Sequence, residues 1–346
     1  MIKVGVLGGT GYAGIEVVRL LAGHPEAELT RVVSKTYAGQ KLSDLYPNLR
    51  GIVDLCCTAL DVDDIAESCE VVFTALPHGA SKEVVPALYA RGLKVIDLSG
   101  DFRYRDVKTY EQWYGAPHSN PELLQESVYG LCELHRDEIK EKRLIGNPGC
   151  YTTCSILGLA PLVKRGLIDN KSIIIDAKSG VTGAGRGLAL PNMFCECTES
   201  MKAYKVATHR HTSEIEQELS LLAGEAICLS FTPHLAPMKR GILATCYANL
   251  KAGTDTEALV ALYRDFYQGE EFIRIYEAGT LPEVKHITGS NYVAIGLVVD
   301  PRLNRVIVVS CIDNLVKGAA GQAIQNMNLI CGLPENTGLT AAGYYL

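Results

Sequence analysis

The first twenty-one residues constrain the fold more than any other stretch. Ile2-Lys3-Val4-Gly5-Val6-Leu7 reads as an apolar strand, Gly8 to Gly14 as a glycine-rich turn, and Ile15, Val17, Val18, Leu20 and Leu21 follow at helical spacing. Gly9, Gly11 and Gly14 satisfy G-x-G-x-x-G, while Gly8, Gly11 and Gly14 equally satisfy G-x-x-G-x-x-G, so the register is open. Either pattern alone is weak. Between a strand and a helix it predicts a dinucleotide site at Thr10, Gly11, Tyr12 and Ala13, because glycines let the backbone approach a pyrophosphate at the helix N-terminus.

The next strand, Leu29 to Val33, ends in Ser34-Lys35, where a fold selective for NAD carries Asp or Glu for the ribose hydroxyls. A hydroxyl and a cation there suit a 2′-phosphate and predict NADP (as NADPH in the reductive direction). Further βα units at Val71 to Ala75 and Lys94 to Leu98 imply a doubly wound parallel sheet of Rossmann type, with Pro77 and Gly79 at a strand's carboxyl end, where ligands bind.

A chain of 346 residues is long for one core, so two domains are expected. After Cys150 the pattern changes to strands at Ser172–Asp176, Gly241–Leu250, Tyr292–Val299 and Arg305–Cys311, which reads as an α+β catalytic domain. Asn314 to Gly332 reads as one helix. The domain boundary is expected at the Cys150 motif, with 1–149 as the dinucleotide-binding domain. A net charge of −6 without basic runs argues against nucleic acid or an anionic membrane as the main partner. No apolar stretch approaches the ~18 residues of a spanning helix, and Met1 leads straight into a strand without room for a signal peptide, so the expected location is cytoplasmic.

Gly146-Asn147-Pro148-Gly149-Cys150 carries the chemistry. It delivers a cysteine from a strand end through a Pro-Gly turn to the first turn of an apolar helix, where the dipole and open N–H groups favour thiolate over the usual thiol with pKa ~8.5. The other eleven of the twelve cysteines read mostly as reduced thiols, and no C-x-x-C pair suggests a metal. His209-Arg210-His211 precedes a helix whose Ser213 and Glu216 have capping-box spacing. His211, nearer the cap, is the expected acid/base for Cys150, with His209 secondary. Asp176 to Arg186 reads as a glycine-rich loop whose cations, Lys178 and Arg186, face a ring and an anionic group. Arg103 is suited to grip a carboxylate or phosphate bidentately.

Together, the Gly8–Gly14 turn, Leu76-Pro77-His78-Gly79, Asp101-Phe102-Arg103, Gly146 to Tyr151, Ser179 to Gly185, His209-Arg210-His211-Thr212 and Asp313 to Gly318 resemble the N-acetyl-gamma-glutamyl-phosphate reductase family of arginine biosynthesis. The likeness runs nearly end to end. It implies a Rossmann domain over 1–149 that the C-terminal segment 314–346 rejoins, an α+β dehydrogenase-type domain over 150–313 for catalysis and oligomerisation, NADPH, a homodimer or homotetramer, cofactor contacts at Gly180 and Asn314, and substrate contacts at Asn147 and His209. The implied reaction takes an acyl phosphate through a Cys150 thioester to a semialdehyde, releasing phosphate. Rival readings are an aspartate-semialdehyde dehydrogenase, the related reductase of a carrier-bound aminoadipyl phosphate, and a non-catalytic NADPH sensor.

Overall fold

Short apolar runs in the N-terminal half assemble as one parallel sheet. The computed structural model describes residues 1–345, and its first unit, Met1–Pro148 with Ala319–Ala341, holds β1 (Ile2–Leu7), β2 (Ala27–Val33), β3 (Val71–Thr74), β4 (Lys94–Asp97), β5 (Val128–Tyr129) and β6 (Leu144–Gly146). The strand order is β2-β1-β3-β4-β6-β5, and every pairing is parallel. The order reverses between β1 and β3, the position at which doubly wound sheets bind ligands beyond their strand ends. β3 and β6 are buried at every residue, as strands covered on both faces must be. Helix α1 (Tyr12–Ala22) follows the first strand with Gly11 as its N-cap.

The helix Gly321–Ile330 completes this unit and is buried throughout, although it carries four amides. Most of their polar atoms are paired: Gln322 and Asn326 each donate to the Gly130 carbonyl at 2.8 Å, and the Asn328 carboxamide oxygen lies 3.0 Å from His24 Nε2, while Gln322 Oε1 is buried without a partner. The single helix expected over 314–332 is not what forms. A π-helical turn, Val316–Ala320, comes first, because Asp313 fixes the chain with its carboxylate on the Leu315 and Val316 amides, and Gly318 N–H reaches back five residues to the Asp313 carbonyl at 2.9 Å. The return to the first unit therefore lies at Ala319 rather than at residue 314.

The second unit runs from Gly149 to Gly318 and takes up the chain again from Ala342. Its mixed sheet contains β7 (Ile174–Gly180), β8 (Lys202–Ala203), β9 (Ser230–Ala236), β10 (Ile242–Asn249), β11 (Ile273–Ile275), β12 (Val293–Asp300) and β13 (Arg305–Ile312), in the order β11-β12-β13-β10-β7-β9-β8. The stretch expected as a loop from Asp176 is thus strand as far as Gly180. Helix α2 (Cys150–Lys164) packs on β10, β13 and α3 (His211–Ala223). Every residue of α2 from Tyr151 to Val163 is buried. Pro161 deprives the Leu157 carbonyl of its helical donor, and the Tyr267 hydroxyl replaces it at 2.5 Å. A rigid, fully packed helix results, and its first residue is Cys150. Among the described residues, no helix is long and apolar enough to cross a membrane.

Candidate active site

The glycine turn is crowded at Gly8, Gly9 and Gly14 and open at Gly11. Gly8 has φ +75° and a Cβ there would lie 2.3 Å from the Ala75 carbonyl oxygen, while a Cβ on Gly14 would meet Gly8 O at 2.3 Å. These two close the turn upon β3 and upon itself. Gly11 is different, since the nearest atom to an added Cβ is Gly8 O at 3.5 Å, and its φ and ψ of −79° and 167° are extended. Gly9 is crowded as well, with an added Cβ 2.5 Å from Val32 Cγ1, so the turn accommodates both glycine patterns, and Gly11 leaves the helix start open with no side chain capping it. Thr10 and Ser34 pair their hydroxyls at 2.9 Å beneath the turn, and the Tyr46 hydroxyl donates to the Thr10 carbonyl at 2.7 Å. Ser34 is buried and also accepts from the Tyr37 amide, whereas Lys35 is exposed. Such a cradle fits a dinucleotide pyrophosphate, with Lys35 as the nearby cation.

In the second unit Cys150 opens α2 with Gly149 as N-cap, and His211 opens α3. An added Cβ on Gly149 would stand 2.3 Å from His211 Nε2 and 2.6 Å from Cε1, so the imidazole edge rests on the backbone that immediately precedes the thiol. One turn along α3, the fully buried Glu214 sends its Oε1 to the Gly149 amide at 2.9 Å and to the Thr152 hydroxyl at 2.9 Å. A carboxylate from the histidine's own helix thus holds the cysteine's helix start. The signal for Glu214 was the three-residue spacing from His211, which puts both on one face of a helix.

The two histidines have separate tasks. His209 Nδ1 accepts the His211 amide at 3.1 Å, and its ring is boxed edge-on by Tyr151, Tyr204, Phe231 and His211 at centroid distances of 4.7 to 5.7 Å. That amide bond holds Nδ1 as an acceptor and braces the start of α3. The expected capping box is absent. Arg210 is the N-cap, Ser213 donates to the Arg210 carbonyl at 2.9 Å, and Glu216 accepts from the Leu229 amide at 3.0 Å, because the helix starts three residues earlier than the box requires. Cys154, one turn beyond Cys150, is buried with its thiol on the Ser310 carbonyl at 3.2 Å, and burial pushes its pKa up to about 12. It is an inert core thiol. Among the described residues no cluster of three His, Cys, Asp or Glu is arranged to hold a metal.

Several other sequence-predicted residues fall into structural positions. Asn147 is fully buried, donates to the Ala319 carbonyl at 3.1 Å and accepts from Asn326 at 3.0 Å, so both ends of its carboxamide are engaged at the end of β6. Lys178 lies on β7 between inward-facing Ala177 and Ser179, so it points to the opposite face and pairs with Asp176 at 2.7 Å. Arg103 is buried with Nε on the Asn147 carbonyl at 2.5 Å and Nη2 on the Leu98 carbonyl at 3.0 Å, which commits part of its fork to backbone. Asn314 accepts from the Gly241 amide at 2.7 Å and donates to the Thr182 hydroxyl at 3.0 Å, fastening the turn that follows Gly180. Gly180 itself is pressed against the backbone of Lys239 and Arg240, while Arg186 is exposed. Pro77 is exposed, three residues beyond the end of β3.

Comparison with known proteins agrees with this geometry. Residues 3–142 match the family model for a semialdehyde dehydrogenase NAD binding domain, and residues 150–314 match that for a semialdehyde dehydrogenase dimerisation domain. N-acetyl-gamma-glutamyl-phosphate reductase of Acetivibrio thermocellus is 60% identical over 346 residues, covering 100% of both chains. Its counterpart from Symbiobacterium thermophilum is 57% identical over 343 residues, 99% of this chain and 98% of that one. Among solved structures, aspartate semialdehyde dehydrogenase II from Vibrio cholerae superposes with a TM-score of 0.73 at 15% identity, covering 96% and 98% of the two chains. The Candida albicans aspartate semialdehyde dehydrogenase with NADP gives 0.70 at 17% identity over 97% and 99%. These two likenesses establish the fold.

Proposed function

The chain belongs to the N-acetyl-gamma-glutamyl-phosphate reductase family, and from that premise we propose that it reduces N-acetyl-gamma-glutamyl phosphate to N-acetylglutamate 5-semialdehyde in arginine biosynthesis, with NADPH. The observation that carries the reading is the imidazole edge of His211 seated on Gly149, directly before a helix-opening cysteine. His211 takes the Cys150 proton, and the thiolate attacks the acyl carbon. As the S–C bond forms, the C–O bond to phosphorus breaks and inorganic phosphate leaves, with the acyl group held as a thioester. NADPH, when bound, supplies the hydride that reduces this carbon. The resulting alkoxide collapses to the aldehyde as sulfur departs, and His211 returns the proton to Cys150. Amides at the start of α2 other than that of Gly149, which Glu214 occupies, stabilise the oxyanion of each tetrahedral stage.

In this reading the first unit binds the cofactor through Thr10 to Ala13, Lys35 and Pro77, and the second supplies catalysis, with His209 bracing His211 and Arg186 meeting an anionic group of the substrate. The enzyme works in the cytoplasm as a homodimer or homotetramer. The substrate's acetyl group is central to the proposal, because a free glutamate semialdehyde cyclises through its own amine. A site made for an amide rejects an ammonium if it offers no carboxylate to pair it. Run in reverse with NADP and phosphate, the protein should oxidise N-acetylglutamate semialdehyde at least about a hundredfold more efficiently than aspartate semialdehyde, roughly 2.7 kcal/mol in transition-state binding. Equal or better efficiency on the aspartyl substrate would assign the chain the rival activity.

A further inference from the structure

We infer that Gly149 and Gly318 are positioning residues for the thiol–imidazole pair, acting through the absence of a side chain. Their backbone conformations do not call for glycine. Gly149 has φ −74° and ψ 157°, which any residue adopts, and Gly318 is not among the glycines with positive φ. Space is what each lacks. On one side of Cys150, a Cβ at Gly149 would overlap His211 Nε2, Cε1 and Cδ2 at 2.3, 2.6 and 2.9 Å. On another, a Cβ at Gly318 would meet Cys150 Cβ at 2.7 Å, Cys150 Cα at 3.1 Å and Ile312 Cδ1 at 3.2 Å.

Each contact is backed by something stiff. Gly149 is pinned through its amide to buried Glu214, and that carboxylate stands on the same helix as His211. Gly318 lies in the π-helical turn, whose start Asp313 caps with two amide bonds while its other carboxylate oxygen holds Arg240 at 3.1 Å and the Gly289 amide at 2.7 Å. The turn therefore bears on Cys150 as a fixed surface, and α2 cannot retreat because it is buried along its length. A methyl at 149 displaces the imidazole, the movable end of a side chain. A methyl at 318 displaces the first residue of α2. A shift of about 1 Å in a reacting group is enough to cost roughly a hundredfold in rate.

This rests on the reading of Cys150 and His211 as nucleophile and acid/base, and the test separates the two. Gly149→Ala, Gly318→Ala and a control in open space, Gly253→Ala, are compared with the unsubstituted protein for kcat, KM, NADPH affinity and the pH dependence of Cys150 alkylation by iodoacetamide, followed on the Cys150 peptide by mass spectrometry. The expected result is a kcat lower by about a hundredfold in both site variants, KM and NADPH affinity within a few-fold, an alkylation profile moved toward an ordinary thiol near pH ~8.5 in Gly149→Ala, and an unchanged control. Site variants with normal kcat and alkylation overturn the inference, as does loss of folding in both, which would make the glycines requirements of the fold. An ordinary thiol profile in the unsubstituted protein would instead defeat the parent reading.

Discussion

Two helix starts in this molecule share one local design and differ in what fills them. Gly11 and Gly149 both follow a strand, both cap a helix without a side-chain bond, and both have extended φ and ψ, −79°/167° and −74°/157°. At α1 the space above the cap is clear, with Gly8 O as the nearest neighbour of an added Cβ at 3.5 Å. At α2 the chain fills it from within, since Glu214 takes the Gly149 amide and His211 lies across the Cα. One positive helix end thus waits for a phosphate from outside, while the other already faces a carboxylate and displays a thiol. The difference changes the electrostatic account of Cys150. Glu214 takes up part of the helix-end potential, so in the proposed mechanism a Cys150 thiolate would lean on a His211 imidazolium more than on the dipole.

The sharpest way to break the contrast is to remove the group that only α2 displays. Cys150→Ser should lose at least about three orders of magnitude in turnover, because a hydroxyl is far less ionised at neutral pH. Iodoacetamide at pH 8 should inactivate by labelling Cys150 and leave Cys154 unlabelled, since burial pushes the Cys154 thiol up to about 12 and it stays protonated well above that pH. Near-normal turnover of the serine variant, or inactivation through Cys154, would show that the filled helix start has no catalytic task.

Next in size is the imidazole. His211→Asn should cost roughly 10²–10⁴ in rate with NADPH affinity nearly intact. His209→Asn should do less, because His209 acts by bracing the His211 amide from inside its aromatic box. A larger loss at His209 would exchange the two roles.

What was legible in the sequence follows the same division. Strand, glycine turn and helix are local patterns, so both helix starts and the doubly wound sheet could be read from spacing alone. What fills the second start could not, because Glu214 reaches Gly149 across 65 positions of chain and its own neighbourhood pointed to a capping box at Ser213 and Glu216. The surroundings of Asn147 and Lys178 were hidden for a related reason. Each sits next to a functional position in sequence, yet one is turned into a buried amide network and the other to the far face of a strand. A single register step on a strand reverses a side chain's destination, and composition does not reveal it.

Glu214 offers a smaller and more selective perturbation of α2. Glu214→Gln keeps an acceptor for the Gly149 amide and the Thr152 hydroxyl but removes the charge, so folding should hold while turnover falls by about tenfold, as expected when one charge-assisted contact to a catalytic element is weakened by roughly 1–2 kcal/mol. Glu214→Ala leaves the Gly149 amide buried without its acceptor, while the Thr152 hydroxyl keeps the Gly149 carbonyl at 2.6 Å, and should lower unfolding free energy by about 1–3 kcal/mol in a denaturant titration. If the glutamine variant unfolds as readily as the alanine variant, the charge itself is structural and α2's filled start is a stability device.

The smallest expected effect belongs to the open helix start. Ser34 is buried and spends its hydroxyl on Thr10 and the Tyr37 amide, so discrimination between NADPH and NADH should fall mainly to Lys35, which is exposed. An exposed lysine meeting a 2′-phosphate in water is screened and mobile, which limits its contribution to about 1 kcal/mol and therefore to a several-fold change in affinity. Lys35→Ala should weaken NADPH by that factor and leave NADH nearly unchanged, and the loss should shrink as salt is raised from 50 to several hundred millimolar, a range over which exposed charges are screened progressively at about 10 Å and below. Equal losses for both cofactors, or a salt-independent loss, would place Lys35 outside the 2′-phosphate site and leave the cofactor preference to groups other than the cation at the end of β2.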